Sequence, residues 1–131
     1  MIKLPILVLL LLSTLYSVAA QGGKAEPNRI RFAAGESSAT LSGTLSNNQE
    51  MEYVFGARAG QTVTLKVASK PKGNFFDFDL AGDGFDVETE FDYYSDYSFA
   101  ATQTGDYLVT VRKRPTADVT RAKFYLTLTI K

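Results

Sequence analysis

Apolar and polar residues alternate with a period of two through most of the chain after residue 28. Neighbouring side chains of a strand point to opposite faces of a sheet, so this alternation sends one row into a core and the other into water. Four segments show it best, with the following inward rows: Tyr53 and Phe55; Val63, Leu65 and Val67; Tyr107, Val109 and Val111; Phe124, Leu126, Leu128 and Ile130. No stretch after residue 20 carries a helical apolar stripe.

Three further segments alternate over shorter spans. Ile30 and Phe32 alternate with two arginines, Leu41 and Leu45 lie on either side of Gly43, and a phenylalanine-rich segment directs Phe76, Phe78 and Leu80 inward. From Phe85 to Tyr97, aromatic residues lie among acids and their faces cannot be assigned. Glycine, proline and asparagine separate the segments about every ten residues. The pattern predicts an all-β fold, an antiparallel β-sandwich of about eight strands with a jelly-roll or Greek-key-like order, in a single domain over 29–131.

The first twenty residues differ in character from the rest. Lys3 precedes an apolar run from Leu4 to Leu12, and the small residues Val18-Ala19-Ala20 follow. This is the three-part pattern of a secretory signal, and it predicts cleavage after Ala20 and a periplasmic or secreted protein. A membrane anchor needs about 20 apolar residues, more than this run supplies. Residues 21–28 are expected to form a flexible start, and no membrane insertion is expected after cleavage.

Composition restricts the function classes. The chain has no cysteine, so apolar burial must hold the exported domain together without disulfides. Without Lys3 the chain keeps 13 basic and 14 acidic residues, a balance that argues against nucleic acid as a partner. The charges are nevertheless segregated, with nine acidic residues and no basic one over 77–106 and six basic residues against Asp118 over 107–131. Either the two blocks neutralise each other on adjacent strands, or one of them recognises a partner of opposite charge.

Catalysis is poorly supported. The chain lacks histidine as well as cysteine, which removes the commonest general base and the thiol nucleophile. Acidic pairs such as Asp77 and Asp79, or Glu88 and Glu90, have the residue type that glycoside hydrolysis needs. On the outer face of a strand, however, such a pair is a solvated acidic row. We therefore expect a protein that is not an enzyme.

Calcium is a second possibility for the acidic segment. Asp77, Asp79, Asp83 and Glu88 carry oxygen ligands at spacings close to those of a helix–loop–helix calcium loop. Ala81 occupies a ligand position of that loop, and the flanking segments are predicted strands. A strand that runs into a Gly-Asp-Gly turn explains the same residues, and no cofactor is expected beyond this candidate ion.

Two segments have the composition of a partner-binding surface. Tyr93, Tyr94 and Tyr97 lie among acids, and tyrosine is common at interfaces, although alternate tyrosines also fill sandwich cores. Arg112, Lys113 and Arg114 end a strand, and Pro115 then stiffens the loop that leads to Arg121. A guanidinium held on such a loop makes paired hydrogen bonds to a carboxylate.

Several segments together resemble a known family. Ser37-Ser38-Ala39, Ser42-Gly43, Tyr53-Val54-Phe55 and Ala59-Gly60-Gln61-Thr62-Val63 resemble the opening half of periplasmic inhibitors of g-type (goose-type) lysozyme. Thr104-Gly105-Asp106-Tyr107, a basic loop and Lys123-Phe124-Tyr125 resemble the closing half. Some of these pieces also occur in sandwiches that resemble bacterial pre-peptidase C-terminal domains.

The resemblance implies a β-sandwich that occludes the cleft of a g-type lysozyme with surface loops. It places a loop arginine of the family at Arg114, where it would meet an acidic group of the enzyme. Asp118 stands at the position of a second loop arginine of the family, with Arg121 nearby. Asn48 stands at the position of a tyrosine of the family. The alternatives are a general secreted sandwich module that binds glycan, protein or calcium, and a hydrolase that uses paired acids.

Overall fold

The computed structural model describes residues 28–87 and 96–131, which fold into two packed sheets. The eight strands are β1 (Asn28–Arg29), β2 (Ser38–Ser46), β3 (Glu50–Ala57), β4 (Thr62–Lys70), β5 (Phe76–Gly82), β6 (Asp96–Ala100), β7 (Gly105–Lys113) and β8 (Arg121–Ile130). The front sheet has the order β1-β3-β7-β5, and the back sheet has the order β2-β8-β4-β6. The predicted all-β sandwich is confirmed.

From β2 onward, each strand is followed by a strand of the other sheet, so every connection crosses the sandwich. This gives a jelly-roll-like order, in which all pairs are antiparallel except β1 with β3. One end of the sandwich carries the turn between β2 and β3, the turn between β4 and β5, and loop 114–120 between β7 and β8. We call it the arginine end. The opposite end carries the β3–β4 turn and the last residue of β8.

The inward rows predicted from alternation form the core. Val63, Leu65, Val109, Val111 and the β8 row are almost fully buried, and Tyr107 stacks on Phe55 with ring centroids 5.5 Å apart. Full burial of one such aliphatic or aromatic side chain contributes about 1.5–3 kcal/mol. A core of this composition accounts for a fold without disulfides.

Close packing between β2 and β8 depends on Gly43. This residue lies opposite Phe124, and a Cβ built on it would lie 2.8 Å from the Phe124 ring. The ring thus occupies the space of a side chain at position 43. This gives a physical reason for glycine in the Ser42-Gly43 pair.

Two outer-face residues differ from the expectation. Val54 was predicted to face water but is only 7% exposed, on the outer face between Arg29 of β1 and Leu108 of β7. Asp77 was predicted to belong to a solvated acidic row and is only 3% exposed. That prediction was wrong for Asp77, because two arginine side chains of neighbouring segments lie against its carboxylate.

The segment whose faces could not be assigned contains β6. Its Tyr97 and Phe99 are partly buried against the core and stack at 5.8 Å, while Ser98 is exposed. Glu88, Tyr93, Tyr94 and the predicted signal sequence lie outside the described residues. In 28–87 and 96–131, no helix is long and apolar enough to cross a membrane.

Candidate partner-binding end

Two arginines share one carboxylate oxygen at the arginine end. Asp77 of β5 lies opposite Arg112 of β7, and its Oδ2 accepts from Arg112 Nη2 and from Arg114 Nε, each at 3.3 Å. The Asp77 side chain is 5% exposed, whereas those of Arg112 and Arg114 are 33% and 36% exposed. One buried carboxylate thus lies under two half-exposed guanidinium groups.

Lys113 lies between the two arginines in sequence and points the other way. It continues the inward row of Tyr107, Val109 and Val111, and its side chain is fully buried. Its Nζ donates to Asn47 Oδ1 at 2.9 Å, to the Arg114 carbonyl and to Thr116 Oγ1. Burial lowers the pKa of this ammonium. Lys113 was expected at a partner surface, but in this structure it fastens the loop to the core and does not reach the surface.

The turn between β2 and β3 packs against the same loop. Asn47 Nδ2 donates to the Thr116 carbonyl at 2.9 Å, and the Asn48 amide donates to the Lys113 carbonyl at 2.9 Å. Asn48 has a φ of 66°, a left-handed conformation that asparagine tolerates better than most residues. The structure therefore brings Asn48 together with Arg112 and Arg114, from which it is separated by more than 60 residues in the sequence.

The other predicted binding residues fall in different places. Arg121 is exposed at the start of β8, opposite Ser46, and so also lies at the arginine end. Tyr97 packs against the core from the middle of the sandwich. Tyr93 and Tyr94 are not among the described residues, and their role stays a prediction.

The predicted calcium ligands do not form a cluster in the described part of the chain. Asp77 Oδ2 is engaged by two arginines, while Asp83 lies past the end of β5 at the opposite end of the sandwich. Residues 28–87 and 96–131 contain no group of three acidic residues placed to hold a metal ion. Glu88 lies outside these ranges, so the calcium site stays a prediction.

Sequence reasoning missed the residues that support the loop. Asn47 and Thr116 were not singled out, although Asn47 belongs to the predicted turn Ser46-Asn47-Asn48. The burial of Lys113 had a signal, because the alternation of β7 places position 113 on the inward row. Nothing local in the sequence indicated that Asn47 and Thr116 would meet.

Comparison by sequence gives no relatives: no family model matches the chain, and no curated protein matches it. Comparison by structure does give similar proteins. The crystal structure of Aeromonas hydrophila PliG, a periplasmic inhibitor of g-type lysozyme, superposes with a TM-score of 0.64 and 23% identity, over 80% of this chain and 96% of PliG. Salmonella Typhimurium PliG gives a TM-score of 0.59 and 26% identity, over 82% of this chain and all of PliG. The chain has the fold of these lysozyme inhibitors.

The same fold also occurs outside the PliG proteins. The pre-peptidase C-terminal domain of a Bacillus anthracis collagenase gives a TM-score of 0.56 at 18% identity, over 81% of this chain and 95% of that domain. Both resemblances stated from the sequence are confirmed. The match to PliG covers nearly the whole length of those inhibitors.

Proposed function

We propose that this protein is an exported inhibitor of g-type lysozyme and that its arginine end occludes the substrate cleft of the enzyme. The observation that carries the proposal is the match to nearly the full length of two PliG inhibitors. The signal-like first twenty residues support action in the periplasm or outside the cell after cleavage following Ala20.

The chemistry of the target supports an arginine as the contact. Glycoside hydrolases act through carboxyl groups in a substrate cleft, so such a cleft offers negative charge to an incoming loop. Arg114 lies in the loop after β7 with its side chain 36% exposed, and the pair with Asp77 uses its Nε. A guanidinium is the side chain best suited to a paired hydrogen bond with a carboxylate.

The loop that carries Arg114 is fixed before any partner arrives. The Arg114 amide donates to the Phe75 carbonyl at 2.8 Å, and Lys113 and Asn47 hold Thr116 on the other side of Pro115. Ordering a loop on binding reduces affinity, so a loop ordered in advance binds more tightly. The arrangement therefore favours insertion of a preformed loop.

The proposal is tested by adding the purified protein to a g-type lysozyme that is lysing bacterial cell walls, with c-type and i-type lysozymes assayed in parallel. We expect inhibition of the g-type enzyme. Arg114→Ala should weaken inhibition by about 10- to 150-fold, the equivalent of a charged hydrogen bond of about 1.5–3 kcal/mol.

The matched control is Arg58→Ala, which removes an exposed arginine from a turn at the opposite end of the sandwich. It should inhibit as well as the unmodified protein, and both variants should show cooperative thermal unfolding. Full lysis by the g-type enzyme in the presence of excess protein would end the proposal. An equal loss of inhibition in Arg58→Ala and Arg114→Ala would mean that the contact with the lysozyme does not lie at the arginine end.

A further inference from the structure

The outer face of the back sheet is strongly basic. Each strand of this sheet alternates, so every second residue of β2, β4, β6 and β8 faces solvent. Among the described residues, Asp96 is the one acid on this face. The basic residues on the same face, with Lys131 continuing the outward row of β8, are Lys66, Lys70, Arg121, Lys123 and Lys131.

The outer face of the front sheet has the opposite character. It carries Glu50, Glu52, Asp79 and Asp106 in exposed or half-exposed positions. The segregation of charge seen in the sequence is therefore only partly neutralised by adjacent strands. Asp77 meets Arg112 and Arg114 on one sheet, while the lysines of β8 lie on the other.

Two lysines of the basic face oppose each other directly. Lys70 of β4 and Lys123 of β8 are partners in the antiparallel register, and both are exposed. Like charges at opposed positions destabilise a strand pair. No described carboxylate forms an ion pair with either lysine. Two like charges held side by side on a solvent-exposed face favour the binding of an external anion.

Hydroxyl groups fill the space between the lysines. Ser38, Thr129, Thr64 and Ser98 form one row across all four strands, with hydroxyl pairs 3.1 Å apart (Ser38 and Thr129) and 3.0 Å apart (Thr64 and Ser98). A shallow groove of about 250 Å³ runs beside this row, lined by Thr62, Thr64, Lys66, Thr127, Thr129 and Lys131.

The β4–β8 boundary therefore forms a track with lysines at both ends and in the middle. Lys131 lies beside Thr62, Lys66 opposes Thr127, and Lys70 opposes Lys123. At about 3.4 Å per residue, Lys123 and Lys131 of the same extended segment are roughly 27 Å apart. A ligand that reaches all of these cations must be extended and must carry repeated negative charge.

We infer that this track binds an extended polysaccharide that bears carboxylates. The lysines supply the charge complement, and the threonine and serine hydroxyls supply donors and acceptors for sugar hydroxyls. Single-stranded nucleic acid requires aromatic platforms for its bases, and the ring of Tyr125 on this face is covered by Lys123 Nζ at 5.2 Å from its centroid. A lipid surface requires inserted large apolar side chains, and the described outward positions of β4 and β6 offer only Ala68 and Ala100.

The experiment measures binding of the full processed chain to polygalacturonate, with neutral dextran and double-stranded DNA as comparison polymers. We expect binding to polygalacturonate that weakens as salt is raised, no binding to dextran and much weaker binding to DNA. Lys70→Gln combined with Lys123→Gln should weaken polygalacturonate binding by about tenfold. If this pair of changes prevents folding, Lys66→Gln combined with Lys131→Gln carries the same test.

The matched control is Arg31→Gln combined with Arg58→Gln, which removes two exposed positive charges away from the track. It should bind polygalacturonate as tightly as the unmodified protein. Equal weakening in the control, equal binding of DNA, equal binding of dextran or no binding of polygalacturonate would each overturn the inference. These outcomes do not depend on whether the arginine end inhibits a lysozyme.

Discussion

Asp77 shows how a single carboxylate can hold two arginine side chains. Its position on a strand, two residues from Asp79, suggested a solvated acid. The structure instead covers it with Arg112 and Arg114 and leaves it 3% exposed. We interpret Asp77 as a positioning residue, which orients Arg114 and lowers the repulsion between two neighbouring guanidinium groups.

Replacement of Asp77 by asparagine tests this role. Asp77→Asn keeps the shape but removes the negative charge that Arg112 and Arg114 share, and we expect a loss of about 1–2 kcal/mol in the free energy of unfolding by urea, since the arginines are partly solvated. Asp83→Asn removes the same charge from an exposed turn and should change stability by less than about 0.5 kcal/mol. Similar stabilities for the two variants would contradict the positioning role.

The ion pair of Arg29 with Asp106 ties β1 to the rest of the front sheet. Arg29 Nη2 lies 2.6 Å from Asp106 Oδ2, and both side chains are 37% exposed. The hydrogen bond from Arg29 holds the pKa of Asp106 below its ordinary value of 3.8. Because the folded-state pKa is the lower one, the pair stabilises the fold above pH 3.8, and this contribution is lost as the pH falls through the lowered value.

Asp106→Asn should therefore be less stable than the unmodified protein at neutral pH, by under about 1 kcal/mol because the pair is exposed. The difference should shrink as the pH falls from 3.8 through the lowered folded-state pKa, below which the unmodified carboxyl is also neutral. Chemical unfolding of both proteins at a series of pH values provides the measurement. A difference that does not depend on pH would show that packing, and not charge, is involved.

For individual residues, the sequence predicted the direction of a side chain better than its role. Alternation correctly directed Val109 and Val111 inward, and the same rule places Lys113 with them. A buried lysine runs against composition alone, because it needs a partner such as Asn47, which is 66 residues away in the sequence. Such partners cannot be identified before the topology is known.

Among the strands, β2 and β8 are paired in the back sheet with a glycine opposite an aromatic ring. The alternation of β2 predicts an inward apolar side chain at position 43, but the residue there is glycine. The Phe124 ring of β8 occupies the space of that side chain. A strand glycine is unfavourable in isolation, so its presence here reflects the neighbour and not the strand.

Gly43→Ala should therefore destabilise the protein, even though the β-strand propensity of alanine is at least as high as that of glycine. The added Cβ would lie 2.8 Å from Phe124 Cε2, and overpacking of a filled core costs about 1–3 kcal/mol. The control is Ser42→Ala on the exposed face of the same strand, which should change the melting temperature little. An unchanged melting temperature for Gly43→Ala would mean that the ring moves aside freely.

Most strands were predictable because each alternates over five or more residues between turn-type residues. β6 was not, because Tyr97 and Phe99 are only partly buried and the aromatic residues before them, among acids, show no clear period. β1 has only two residues, and its place at the sheet edge is set by its pairing with Tyr53 and Val54. Short or half-buried strands take their structure from neighbours, which a local pattern does not contain.

For the molecule as a whole, the sandwich was predictable and the order of its strands was not. Alternating rows require two sheets to bury them, so the fold class follows from the pattern alone. The order β2-β8-β4-β6 pairs residues up to 91 positions apart, such as Ser38 and Thr129 or Leu45 and Ala122. This order also decides that the acidic and basic residues largely occupy opposite faces.

The candidate binding residues lie in separate segments of the sequence, and the fold brings only some of them together. Arg112, Arg114, Asn48 and Arg121 meet at one end because the turn after β2 and the loop after β7 lie at the same end of the sandwich. Tyr97 was separated from them, since it lies on the edge strand β6 opposite Leu65, away from this end. The lysine track went unnoticed because its members, spread over β4 and β8, share a face only after folding.

The parallel pairing of β1 with β3 has a practical consequence for anyone who handles the protein. Asn28 enters the front sheet from the side of the arginine end, whereas Lys131 leaves the back sheet at the far end. The strand that begins at Asn28 thus starts on the side of the sandwich where the loop that carries Arg114 lies, which makes this side a poor place for a purification tag or fluorescent label. One fused behind Lys131 would stand clear of that loop, so carboxyl-terminal fusions are the ones to immobilise or image.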